Sequence, residues 1–167
     1  MKTKLAFDFL VDKEANTMSI KKEFAANRQL VWDCFTKSEL LDQWFAPEPY
    51  TAQTKHMNFT EGGYWLFAMI SPEGEQHWSR LDFQHIQPTD HYTAVDVFCD
   101  ENGKPNPDLP QGNWKTSFAN SADTTTVDIL ISYGSLEDLE AIVKMGMQEG
   151  LTQTLEQLEV LLSTLSQ

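Results

Sequence analysis

A change of rhythm divides this sequence. Between Thr51 and Tyr133 apolar residues recur at alternate positions in short runs cut by turn residues, and from Ser135 onward they recur every three or four positions. Alternation marks half-buried strands, whereas spacing by three and four is the stripe of an amphipathic helix. The strand-like runs cover 51–59, 63–71, 76–87, 92–100, 114–119 and 125–133. Turn chemistry separates them at Glu61-Gly62-Gly63, Pro72-Glu73-Gly74 and Pro88-Thr89-Asp90, and a longer loop rich in proline and glycine spans 101–112. Turns this short favour an antiparallel meander. The helical stripe runs through Ile142, Met145, Leu151, Leu155, Leu158, Leu162 and Leu165. Such a stripe must be buried, and the concave face of the sheet is the surface that can bury it. The expected fold is therefore α+β, a curved antiparallel β-sheet wrapped around a long C-terminal α-helix.

Ahead of the meander, Leu5, Phe7, Phe9 and Val11 alternate with shorter or polar residues, and Met18 and Ile20 resume the alternation after a polar turn at 12–16. That pattern is a hairpin, with residues 1–16 read as an N-terminal extension. Two short helices should come next. Asn27 can cap the first, which carries Leu30, Val31, Cys34 and Phe35, and the second, over 39–45, ends before Pro47 and Pro49. Ser135 with Glu137 and Asp138 reads as a helix start, and Gly146 and Gly150 divide 135–165 into a short and a long helix. A chain of 167 residues suits a single domain with one core.

Composition removes several function classes. Lys and Arg number 12 against 25 Asp and Glu, a formal charge of −13, and nucleic-acid binding needs a basic footprint. No run approaches the roughly 18 apolar residues of a membrane span, so no membrane partner is expected. The N-terminus lacks an uninterrupted apolar region of the signal-peptide kind. The two cysteines, Cys34 and Cys99, lie far apart outside any CxxC, which leaves a reduced, cytoplasmic setting as the expectation. The four histidines, at 56, 77, 85 and 91, form no metal-binding spacing, so neither metal nor cofactor is expected. Acidic residues on the last helix, Glu149, Glu156 and Glu159, read as a solvated face.

The segment Leu30 to Pro47, LVWDCFTKSELLDQWFAP, resembles the signature of the family named for the activator of the heat-shock protein 90 ATPase, within the START-like superfamily. Val31-Trp32, Phe35-Thr36, Leu40-Leu41, Trp44-Phe45 and Pro47 fit that signature, with Ser38 where proline is usual. Gly62-Gly63 before Trp65 matches a second landmark, and the closing strand and helix, Val127 to Leu162, match a third in layout. There Gly146-Met147 or Gly150-Leu151 stands where the family often has Gly-Trp. The resemblance implies a helix-grip fold with a cavity between the long helix and the sheet, and it fixes no chemistry, since members range from binding proteins to cyclases. The eukaryotic activator carries a further N-terminal domain that makes much of the chaperone contact. No room for it is expected here, so the family name is not read as an activity.

The candidate ligand-binding residues come from the inward register. Trp65, Phe67 and Met69 share one strand face, Trp114 and Phe118 another, and Met57 and Phe59 a third. Met147, Leu151 and Leu155 face the same space from the helix, and Trp44 joins them from the signature segment. Tyr64, Trp78, Arg80 and His85 are the candidate polar anchors, Arg80 as one of only two arginines, able to pair a carboxylate bidentately. Three classes of function stay open: a binding protein for a hydrophobic or amphipathic small molecule, which leads; an enzyme of cyclase or hydrolase type using a cavity histidine or carboxylate; and a chaperone-accessory domain. No catalytic residue is assigned. A homodimer through an exposed edge strand is compatible with the geometry. The loop around Pro105, Pro107 and Pro110 reads either as a lid or as a stiff crossover.

Overall fold

The computed structural model describes residues 5–165; the first four residues of the expected N-terminal extension lie outside the described residues. Eight strands form one antiparallel sheet: β1 (Phe7–Asp12), β2 (Thr17–Phe24), β3 (Thr51–Met57), β4 (Tyr64–Ile70), β5 (Gln76–Gln87), β6 (His91–Cys99), β7 (Gly112–Ser121) and β8 (Thr124–Ser132). Their spatial order is β1-β2-β8-β7-β6-β5-β4-β3. β3 to β8 are the expected meander. β2 then pairs with β8, placing the N-terminal hairpin at one edge and β3 at the other, so the sheet stays open. The fold is a helix grip.

The helices are α1 (Arg28–Thr36), α2 (Ser38–Leu41), α3 (Leu136–Lys144) and α4 (Met147–Leu165). Asn27 caps α1 by accepting from the Leu30 amide at 2.8 Å, and Ser135 caps α3 by accepting from the Asp138 amide at 3.1 Å. Each cap satisfies a donor that the first turn would otherwise leave orphaned. α3 ends at Gly146, whose φ of +90° is a conformation that glycine adopts without steric cost. α4 buries Leu151, Leu155, Leu158 and Leu162, each contributing about 1.5–3 kcal/mol when fully removed from water. Gln157 ties α4 to the stretch after α2, donating to the carbonyls of Trp44 and Ala46 at 3.0 and 2.8 Å. Glu159 is not simply solvated as expected, because it meets the buried Lys22 of β2 at 2.7 Å.

The concave face carries alternate residues of every central strand: Trp65 and Phe67, Leu81 and Phe83, Tyr92 and Ala94, Trp114 and Phe118, and Ile129 and Ile131 are all buried. Two interruptions matter. β3 shifts register between Thr54 and His56 and ends at Met57, so Phe59 lies beyond the strand that alternation assigned to it. β5 shifts register between Phe83 and His85. The extra residue of such a bulge reverses the facing of the residues beyond it.

Candidate functional site

A cavity of about 900 Å³ lies between the sheet and the α3–α4 junction. Phe67, Met69, Ser79, Leu81, Asp96, Phe98 and Trp114 contribute from the strands, and Ile142, Met147, Gly150, Leu151 and Thr154 from the helices. Around its rim stand Tyr50, Gln76, His77, Asp100, Glu101, Asn106 and Leu109. The helix side is open for a local reason: at Gly146 the chain turns, and Gly150 presents no side chain. A Cβ at Gly150 would meet only Pro47 Cγ, at 3.7 Å, an ordinary contact. Space, rather than close helix approach, is what this glycine provides.

Of the candidates drawn from the sequence, Phe67, Met69, Trp78, Trp114, Met147 and Leu151 come together around this cavity. Trp78 sits at its margin with the Lys55 ammonium 5.6 Å above its ring. Trp44, Trp65 and Leu155 instead border a second void of only about 20 Å³, room for little more than one water. Their polar atoms are used structurally. Trp44 Nε1 donates to the Cys34 carbonyl at 2.9 Å, and Trp65 Nε1 to Thr54 Oγ1 at 2.9 Å, while that hydroxyl donates to Asp42 at 2.6 Å. Phe59 and Phe118 pack edge-on against Trp32 at 5.8 and 5.1 Å, filling the half of the grip beneath α1. Met57 packs at the margin of the same core.

Of the anchors proposed from sequence, Trp78 borders the cavity and the other three fall elsewhere. Arg80 alternates with the inward Leu81 and so leaves by the other face. There Asp82 holds it bidentately, at 2.6 and 2.9 Å, and its third nitrogen donates to the Gly103 carbonyl. The neighbouring acid two residues on, not a cross-strand one, is its partner. His85 is turned outward by the bulge, exposed, with Nδ1 3.1 Å from Glu61. His56 and Tyr64 stack on each other at the surface, with centroids 4.4 Å apart. Only His77 among the histidines borders the cavity, and it is exposed and 3.7 Å from Glu75. The proline-containing loop lies beside the cavity and is tied to the sheet. Asn106 and Leu109 border the cavity, while Arg80 and Lys55 bind the carbonyls of Gly103 and Glu101, the latter at 2.7 Å.

Asp96 is the residue that sequence reasoning passed over as a site. It stands opposite Leu81 on one side and Gly112 on the other, in the inward register of β6. It is half-buried and opens onto the cavity. Burial raises its carboxyl from 3.8 to about 7, opposed in part by the indole N–H of Trp114. That N–H faces the carboxyl without closing a hydrogen bond of normal geometry. Alternation through Tyr92, Ala94, Asp96 and Phe98 was the available signal: a carboxylate in phase with core residues. Burial also pushes the Cys34 and Cys99 thiols up to about 11, so neither is an activated nucleophile. No group of acidic, histidine or cysteine side chains suited to a metal ion occurs among the described residues. No described helix is long and apolar enough to cross a membrane.

A family model described as "Activator of Hsp90 ATPase homolog 1-like protein" matches residues 25–163. No curated protein matches the chain. Among solved structures, a protein from Arthrobacter aurescens, determined in solution by NMR, is 29% identical over 94% of this chain and 91% of its own, with a TM-score of 0.89. Protein Ms6760 from Mycobacterium smegmatis is 25% identical, covering 95% of this chain and 97% of its own, with a TM-score of 0.87. The AHSA1 protein of Silicibacter pomeroyi shares the fold at 18% identity, over 89% of this chain and 98% of its own, with a TM-score of 0.71.

Proposed function

The chain belongs to the Activator of Hsp90 ATPase homolog 1-like family, and from that premise we propose that it is a binding protein for a small hydrophobic or amphipathic molecule. One observation carries the reading: a cavity of about 900 Å³ with a predominantly apolar lining, placed where the long helix meets the sheet. Ligand sites are mostly preformed, concave and apolar, of roughly 300–1,000 Å³, with a few convergent polar groups. Packed cores contain few voids larger than a water molecule. Burial of about 200 Å² of apolar ligand surface is worth about 5 kcal/mol gross, and the costs of association require polar anchors in addition.

Thermal unfolding against a panel of fatty acids, aromatic acids, amines and sterol-like compounds tests this. A ligand at about 100 times its Kd adds about 2.7 kcal/mol, a rise of several degrees in Tm for a domain of this size. Leu151→Trp, which projects an indole into the cavity, is expected to abolish the shift while the protein remains folded. A panel without any shift removes the reading.

A second reading, acid–base catalysis in the cavity, is favoured by the Asp96 carboxyl at about 7, near the operating range of a general acid or base. It requires turnover of a bound compound that tracks the ionisation of Asp96 and disappears in Asp96→Asn.

A further inference from the structure

Three neighbouring polar groups, two in the cavity wall and one behind it, are left unfinished by the protein's own structure. Trp114 Nε1 and Tyr133 Oη are both buried without a hydrogen-bond partner, on residues only 9% and 7% exposed. Asp96 faces them. Gly112 explains the arrangement: it pairs with Asp96 across the β6–β7 ladder, and a Cβ there would come within 3.0 Å of Tyr133 Cε1. The absent side chain lets the tyrosine ring lie over the backbone next to Asp96. Tyr133 in turn feels the negative charge of Asp96, which with burial pushes its hydroxyl above the usual tyrosine range. A buried donor left unpaired keeps its full desolvation penalty, so the cluster is destabilising unless something completes it.

The rest of the lining has one sign of charge. Asp96, Asp100 and Glu101 border the cavity, whereas none of the described lining residues is Lys or Arg. Of the cations close by, Arg80 is engaged by Asp82 and Gly103 and Lys55 by the Glu101 carbonyl, while Lys104 stands beside Asp100 at the rim. Phe67, Phe98 and Trp114 add aromatic faces. A carboxylate among aromatic rings is the chemistry that recognises an ammonium group.

We propose that the cavity selects an apolar amine, seating its ammonium group against Asp96 and its hydrocarbon or aromatic body among the apolar residues. This rests on the reading of the cavity as a ligand site. With the ammonium present, Asp96 is ionised and the Trp114 N–H gains a charged acceptor. A carboxylate ligand meets repulsion from three acids instead. A neutral apolar ligand leaves Asp96 and Trp114 unfinished.

The proposal has a pH signature. The titratable or charged groups around Asp96 are Tyr133 beyond the end of β8, Cys99 on β6, Asp100 and Glu101 in the loop after it, and His77 at the exposed end of β5. The helix residues across the cavity, Ile142, Met145, Met147 and Leu151, carry no charge. Because Asp96 must give up its proton to receive the ammonium, affinity for an amine rises with pH until Asp96 is ionised. Below its pKa the change is about tenfold per pH unit.

Octylamine, octanol and octanoate, titrated calorimetrically into the intact protein at about pH 6 and pH 8, separate the outcomes. The amine is expected to bind at least tenfold tighter than the alcohol at the higher pH, to lose about tenfold on going to the lower, and to release a proton there. Asp96→Asn is expected to erase the preference for the amine and leave octanol binding in place, which also reports that the variant is folded. Octanol or octanoate bound as tightly as the amine at both pH values overturns the amine proposal and leaves the cavity reading standing. Binding by none of the three, together with no thermal shift across the wider panel, overturns both.

Discussion

The half of the grip beneath α1 and the half beneath the α3–α4 junction draw on similar aromatic side chains and end in different states. Beneath α1, Trp32 and Phe35 descend onto the sheet and meet Phe59, Tyr92 and Phe118 edge-on, with centroids 5.1–5.8 Å apart. Trp44 closes that half, 5.0 Å from Phe35. At the other end Phe67 is met edge-on by Phe45 at 5.6 Å, but among the described residues Phe98 and Trp114 enter no aromatic pair and face Met147, Gly150, Leu151 and Thr154 across an open space. Edge-to-face aromatic pairs add about 0.5–1.5 kcal/mol beyond their burial. The open half forgoes most of that gain, and it also carries two unpaired donors and a half-buried carboxyl. Stability is therefore concentrated in one half and binding capacity in the other.

The strongest way to break this contrast is to truncate one large side chain in each half. Trp44→Ala removes a 1% exposed indole and its hydrogen bond to Cys34, and it is expected to cost about 3–5 kcal/mol. Met147→Ala, at the half-buried wall of the open cavity, should cost about 1 kcal/mol or less. Denaturant midpoints with unchanged m-values check both, and equal losses would abolish the distinction.

The halves should also differ in their response to pH. Folded Asp96 titrates near 7 against an ordinary 3.8, so between those values the folded state holds a proton that the unfolded chain has lost. Stability then falls as pH rises across that window, by roughly 2–4 kcal/mol in all. In the filled half, burial holds Tyr92 above the usual tyrosine range, so it contributes no slope there. Asp96→Asn should flatten the profile, and an unchanged slope in that variant would assign the pH dependence to other groups.

The smallest effect comes from two glycines. Gly150→Ala adds a methyl to a helix with room for it, 3.7 Å from Pro47, and should stabilise by about 0.5–1 kcal/mol. Gly112→Ala drives a Cβ to 3.0 Å from the Tyr133 ring and should destabilise by about 1–3 kcal/mol. Thermal midpoints shifted in opposite directions would sharpen the picture of where the open half has slack; a destabilised Gly150→Ala would contradict it.

Much of this was legible beforehand. Asn27 and Ser135 announce helix starts because a short polar side chain before an apolar stripe has a backbone donor within reach. Phe67, Met69, Trp114, Met147 and Leu151 could be gathered as a lining set by parity and helical spacing alone. Arg80 and His85 were misplaced for instructive reasons. Arg80 had a partner two residues along its own strand face, which made a ligand anchor unnecessary. His85 lay beyond a bulge, and one inserted residue reverses every facing after it. Asp96 was readable by parity, in phase with Tyr92, Ala94 and Phe98, but was not drawn as a candidate because parity does not reveal the open space in front of it.

What the sequence determined by itself is local: the strands, the caps, the turn at Gly146 and the apolar stripe of α4. These arise from backbone geometry and from neighbours within a few residues. The tertiary structure alone decided that β2 pairs with β8 across more than a hundred residues, and that one half of the grip is filled while the other is open. A cavity is the difference between the volume a sheet encloses and the side chains that distant elements send into it, so no single segment encodes it. The Asp96, Trp114 and Tyr133 cluster arises in the same way, from β6, β7, the residue that follows β8 and one missing side chain at Gly112.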